Sequence, residues 1–149
     1  MKTLVLEHWA PLLVWLLFIF LLSTDAFSSS ETSRIIGPIL KFFFPGLSPR
    51  ELDLWHRVIR KCAHVGGYFI LAVFAHRSFK YEQPDPVGAK LRTASFVLVM
   101  ALLDEFHQSL TASRGASIMD VGYDCFGAVG ALWVITSYEK RRLRSYPVL

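Results

Sequence analysis

The apolar residues of this 149-residue chain fall in unbroken blocks, each about as long as a membrane crossing. Four stretches qualify: residues 9–27 (WAPLLVWLLFIFLLSTDAF), about 58–79, about 91–110 and about 117–138. A helix that spans a bilayer needs about 20 mostly apolar residues. Composition agrees: 53% of the residues are hydrophobic and 19% charged, against about 25% charged in an average soluble domain. The sequence therefore predicts an all-α fold, an integral membrane bundle of four transmembrane helices forming one domain over 1–149. The first stretch has a second reading as a cleaved signal peptide, because Lys2 precedes it and small polar residues follow it. It lacks an A-x-A site and its apolar core is long for a signal, so it is read as a retained first span.

The connection between the first two spans has its own structure. RIIGPILKFFFPGL is apolar, broken by Pro38 and Pro45, and too short to cross. Residues of about 31–45 thus read as an interfacial or re-entrant piece, with Phe42, Phe43 and Phe44 at the headgroup boundary. SPRELDLW then opens a new helix, with Ser48 as N-cap, Pro49 at the first position and Glu51 three residues after the cap. That helix is expected to run into the second span. Four spans put nine of the sixteen Lys and Arg residues on the side of both termini, including the basic tail, 139–149. By the positive-inside rule both termini face the cytoplasm. The net charge of +4 is not arranged as a basic stripe interleaved with aromatics, so no nucleic-acid partner is expected. Cys62 and Cys125 lie far apart within apolar segments and read as small buried residues.

Polar residues gather where these spans would meet. Arg57, Lys61, His64 and Tyr68 follow one another at steps of four, three and four, which places them on one helix face. MALLDEFHQSL ends the third span, with Asp104 and Gln108 on one face and Glu105 about 100° round from Asp104. The connection TASRGAS brings Arg114 to the same end. The fourth span opens with Asp120, and Asp124 lies one turn deeper. Gly127 continues that stripe with Gly130 nearby, where helices can approach closely. All these groups meet at one end of a four-helix bundle, whichever side of the membrane that end faces. An acid at the centre of a bilayer helix costs about 2.5–3.5 kcal/mol on insertion scales. Several together require a wet cavity and basic partners, which Lys61, Arg114 and His64 supply.

The segments KCAHVGGYFILAVFAHR, LLDEFHQ and SRGASIMDVGYDCFGAVGAL together resemble the VanZ-like family of small bacterial integral membrane proteins. The matching positions are Lys61, His64 and Tyr68, then Asp104, Glu105 and Gln108, then Arg114, Asp120, Gly127 and Gly130, with Ser23 as an early serine. The likeness runs over roughly residues 9–137. It departs at Asp124, where the family pattern has Asn, and this adds an acid to the cluster. The resemblance implies a multi-pass protein of the bacterial plasma membrane. The family's founding member is linked to teicoplanin resistance, so an effect on glycopeptide susceptibility is an expectation.

Two function classes follow, with a plainer third. In the first, an outward polar cavity binds a lipid or envelope-precursor headgroup through Lys61, Tyr68, Gln108, Arg114, Asp120 and Asp124. In the second, the chain is a membrane-embedded hydrolase or transferase acting on a lipid-linked cell-wall precursor. Asp104 or Glu105 would then be the general base, His64 a proton shuttle and Arg114 a phosphate clamp. In the third, the cluster holds four helices in register within an envelope complex. Ser109, Thr111, Ser113 and Ser117 lie nearby, but none sits in a nucleophile elbow. Asp104, Glu105, Asp120 and Asp124 offer oxygens to a hard cation, and His64 a nitrogen. Lys61 and Arg114 would compete for those carboxylates, so no metal and no cofactor are expected. His107 reads as a packing residue. A homodimer is compatible with so small a bundle, although no self-complementary face is visible.

Overall fold

The computed structural model describes residues 2–24, 29–82, 85–110 and 117–145. Among the described residues there are five helices and no strand: α1 (Lys2–Leu22), α2 (Ser29–Phe43), α3 (Pro49–Glu82), α4 (Pro86–Ser109) and α5 (Ile118–Ser145). Three of them, α3, α4 and α5, are long and apolar enough to cross a membrane. The apolar part of α1, Leu6–Leu22, is shorter, about 25 Å at 1.5 Å per residue. The large apolar residues left on the outside, such as Leu98, Val99, Leu102 and Leu103 of α4 or Phe126 and Val129 of α5, suit a lipid surround rather than water.

Helix α3 is the axis of the bundle. It packs against α1, α4 and α5, and α2 lies against its first turns. Its N-terminus forms as the sequence dictates. The Ser48 hydroxyl and amide both donate to Glu51 Oε2, at 2.7 and 2.8 Å, and the helix continues unbroken into the apolar segment. The core is built from small residues. Ala72, Ala75, Ala101 and Ala131 have no exposed surface, and Gly127 is buried. Small side chains let helix backbones approach where lipid offers no hydrophobic drive to associate.

Helix α1 is tied to α3 near its start and at its middle. Pro11 removes the amide that would bond the Glu7 carbonyl, and the Arg77 guanidinium donates to that carbonyl at 3.5 Å. Ser78 Oγ donates to the His8 carbonyl at 2.9 Å. Further along, the Trp15 indole donates to the Gly67 carbonyl at 2.9 Å. The end carrying these first contacts is closed by ion pairs. Glu139 of α5 takes Lys80 of α3 and Lys90 of α4, the latter at 2.8 Å.

Several boundaries differ from the sequence reading. Helix α1 ends at Leu22, where the Thr24 hydroxyl bonds the Leu21 carbonyl at 2.6 Å and competes with the helix. Helix α4 begins at Pro86 rather than near Leu91, because Asp85 caps it by accepting from the Val87 and Gly88 amides. Helix α5 runs on through the basic residues to Ser145. Cys62 is exposed rather than buried, and Cys125 is half-buried. Helix α2 overlaps the piece expected at the interface, and Phe42 and Phe43 at its end and Phe44 just beyond it are exposed.

Candidate functional site

The polar residues of α3, α4 and α5 converge at the opposite end from Glu139. The middle of α3 meets the N-terminus of α5 and the C-terminus of α4 there. Four acids lie within a few turns of one another, and each finds a different partner. Lys61 of α3 pairs with Asp120 of α5, and the same ammonium sits 4.8 Å from the centre of the Tyr123 ring. One turn deeper, His64 Nδ1 stands 3.0 Å from Asp124 Oδ1. The spacing of three residues on α3 and four on α5 thus stacks two cross-helix pairs. Asp104 of α4 accepts from Gln108 Nε2 at 3.0 Å, one turn along its own helix. Glu105, about 100° round, turns away and accepts from the Ser117 backbone amide just before α5.

Burial is graded through the cluster. Asp124 is 1% exposed and Gln108 2%, while Asp104, His64 and Lys61 are half-buried. Tyr68 is buried below His64, and its hydroxyl donates to the Met100 carbonyl at 3.4 Å. Arg57, expected on the same face, pairs instead with Asp53 on the exposed side of α3. Arg114, Thr111 and Ser113 lie outside the described residues. Ser109 is exposed and donates to the Phe106 carbonyl at 2.6 Å, so it is not turned toward the cluster.

A cavity of about 420 Å³ opens beside this cluster, between α1 and α3. Its walls are apolar, with Trp15, Phe18, Ile19 and Leu22 facing Ala63, Gly66, Gly67 and Ile70. One end is polar, lined by His64, Tyr68, Asp104 and Gln108, with Ser23, Thr32 and Arg60 at its edge. The paired glycines make the slot. A Cβ added at Gly66 or Gly67 would meet no atom within 4 Å.

From the first span, the sequence reading named only Ser23 for this site, through the family resemblance and without a partner. Buried Ser23 meets His107 Nδ1 at 3.4 Å, and the His107 ring tilts against Phe20 at 5.0 Å. His107 thus packs, as expected, but against the first helix. The spacing of a lone Ser at a helix end gave no sign of that partner.

Of the two bases expected to compete for the carboxylates, Lys61 takes one acid and Arg114 lies outside the described residues. Lys61 is committed to Asp120, and Glu105 to the Ser117 amide. What remains is His64, Asp104 and Asp124, one from each of α3, α4 and α5. One ligand-capable atom from each lies within 4.8 Å of the others.

Three helices long and apolar enough to cross a membrane, around an internal polar end with a slot reaching it from the side, are consistent with a small helical membrane protein. The chain matches the VanZ/LLP1 family over residues 8–139 and belongs to it. No curated protein and no solved structure matches it.

Proposed function

We propose that this chain is a four-span plasma-membrane protein that binds an amphiphile, a membrane lipid or a lipid-linked envelope precursor, in the cavity beside His64. The observation that carries the reading is the cavity's division into an apolar slot and a polar end. An acyl or prenyl chain lies between Trp15, Phe18 and the Gly66–Gly67 face, where it removes apolar surface from contact with solvent or lipid gaps. The headgroup meets His64, Tyr68, Asp104 and Gln108, with Arg60 beside it. Arg114, expected at this end from the sequence, would add a planar donor suited to phosphate.

The four-span reading gains support from α1 being bonded to α3 at two depths, through His8 and Trp15. The polar end then faces outward and both termini inward, by the distribution of Lys and Arg. Sequestering or presenting an envelope precursor there is the route by which such a protein alters glycopeptide susceptibility. The hydrolase reading draws less support, since Glu105 is engaged by a backbone amide. The structural reading has a specific observation behind it. The Lys61–Asp120 and His64–Asp124 pairs tie α3 to α5.

Native mass spectrometry of the detergent-purified chain separates these readings. Wild type is expected to retain a phosphate-bearing lipid. Gly66→Leu fills the slot from a position with open space, and is expected to lose it. Arg114→Ala and Asp104→Asn are expected to weaken retention while leaving the protein folded. An unchanged lipid profile across all three folded variants would sink the binding reading in favour of the structural one.

A further inference from the structure

Among the described residues, the acids at the polar end outnumber the bases paired with them. Asp120 has Lys61, and Glu105 has a backbone amide. Asp104 and Asp124 share one imidazole and one carboxamide between them. Asp124 is 1% exposed, and among the described residues no lysine or arginine forms an ion pair with either. Two carboxylates in a low-dielectric bundle with a single imidazole leave negative charge that is expensive to bury.

We infer that His64, Asp104 and Asp124 form a binding site for one divalent metal ion of the manganese or zinc type. The geometry brings two ligands to coordination distance and a third within reach of them. His64 Nδ1 and Asp124 Oδ1 are 3.0 Å apart. That is the separation of two ligands each about 2.1 Å from one ion and about 90° apart around it. The Asp104 carboxylate lies within 4.8 Å of both, and a side-chain rotation toward the ion would complete the triad. Each ligand comes from a different helix, so the set is fixed by the packing of α3 against α4 and α5. One nitrogen and two carboxylates suit a borderline first-row ion better than calcium or magnesium, which favour all-oxygen shells. Two positive charges neutralise both aspartates. Gln108, donating to Asp104 at 3.0 Å, holds the carboxylate from the outer shell. His64 and Asp104 also line the cavity, so the ion's remaining positions open into it.

The site stands whether or not the cavity takes a lipid, and it is tested on the metal alone. The full chain, purified in a phosphate-free detergent and stripped with EDTA, is dialysed against MnCl₂ or ZnCl₂ and its metal content measured. One equivalent of at least one of the two ions is expected to remain. With Mn²⁺ bound, pulsed electron paramagnetic resonance is expected to show modulation from a directly coordinated ¹⁴N. His64→Gln should abolish that modulation. Asp124→Asn, which keeps the side chain's shape, should weaken binding at least about tenfold. Retention of neither ion by the unmutated chain overturns the inference, as does bound Mn²⁺ with no nitrogen coupling. Affinity unchanged in folded Asp124→Asn would overturn it as well. Since the unmutated chain alone can give the first two results, a variant that fails to fold does not shield the inference.

Discussion

Gly127 is the residue on which the α3–α5 contact turns. A Cβ there would collide with the Val65 carbonyl oxygen and stand 3.1 Å from the Phe69 amide nitrogen. Both are backbone atoms, which cannot swing aside. Gly130, one turn on, differs: its added Cβ would meet the Phe69 ring at 3.7 Å, an ordinary contact. Gly127→Ala should therefore destabilise the protein by about 1–3 kcal/mol, while Gly130→Ala should be neutral or stabilising, since Ala favours helix over Gly by about 1 kcal/mol. Thermal unfolding in detergent of the two variants checks the contrast, and equal losses would contradict it. At this scale the sequence was legible in part. Periodicity put Lys61 and His64 on one face and Asp120 and Asp124 on another. It could not say which base would meet which acid, because that depends on the depth at which two helices cross. The sideways turn of Glu105 to a backbone amide was equally unreadable, since any nearby donor would have met the same angular rule.

The elements were easier to foresee where their start signals are local. SPRE declared the beginning of α3 because the cap, the proline and the glutamate all act within one turn. The beginning of α4 went unread although PDPV carries a comparable signal: Asp85 as cap and Pro86 at the first position. Hydropathy hides it, since Val87 to Lys90 is not apolar enough to look like a span. Asp85 now supplies a prediction for the element. Its carboxylate accepts from the Val87 amide at 3.1 Å and the Gly88 amide at 2.9 Å. Asp85→Ala should cost about 0.5–2 kcal/mol and speed amide hydrogen exchange in the first turn of α4 without affecting α3. Faster exchange in both helices would mean that the loop, rather than the cap, had been disturbed. The far end of α5 shows the converse. Its basic residues read as a tail because charge marks topology, yet Arg142 and Arg144 in the last turn favour continued helix through the dipole.

For the whole molecule, α1 is the element that decides topology. Its apolar segment, Leu6–Leu22, is shorter than those of α3, α4 and α5. Length alone would let it lie in the interface, leaving three crossings and termini on opposite sides. Its bonds argue otherwise. Ser78 holds the His8 carbonyl near the end closed by Glu139, Trp15 holds Gly67 further along α3, and Ser23 meets His107 at the polar end. The proposed fourth crossing rests on these bonds, and a segment about 25 Å long would need only modest local thinning of a ~30 Å hydrocarbon core. Reporter fusions in a bacterial host give the test. A fluorescent protein that matures only in the cytoplasm should light up at either terminus. Alkaline phosphatase, active only outside, should work when inserted between α2 and α3, near Gly46, and fail when fused after Ser145. A dark N-terminal fusion beside a bright C-terminal one would mean three crossings. The cavity between α1 and α3 would then not sit in the membrane as the lipid-binding proposal requires.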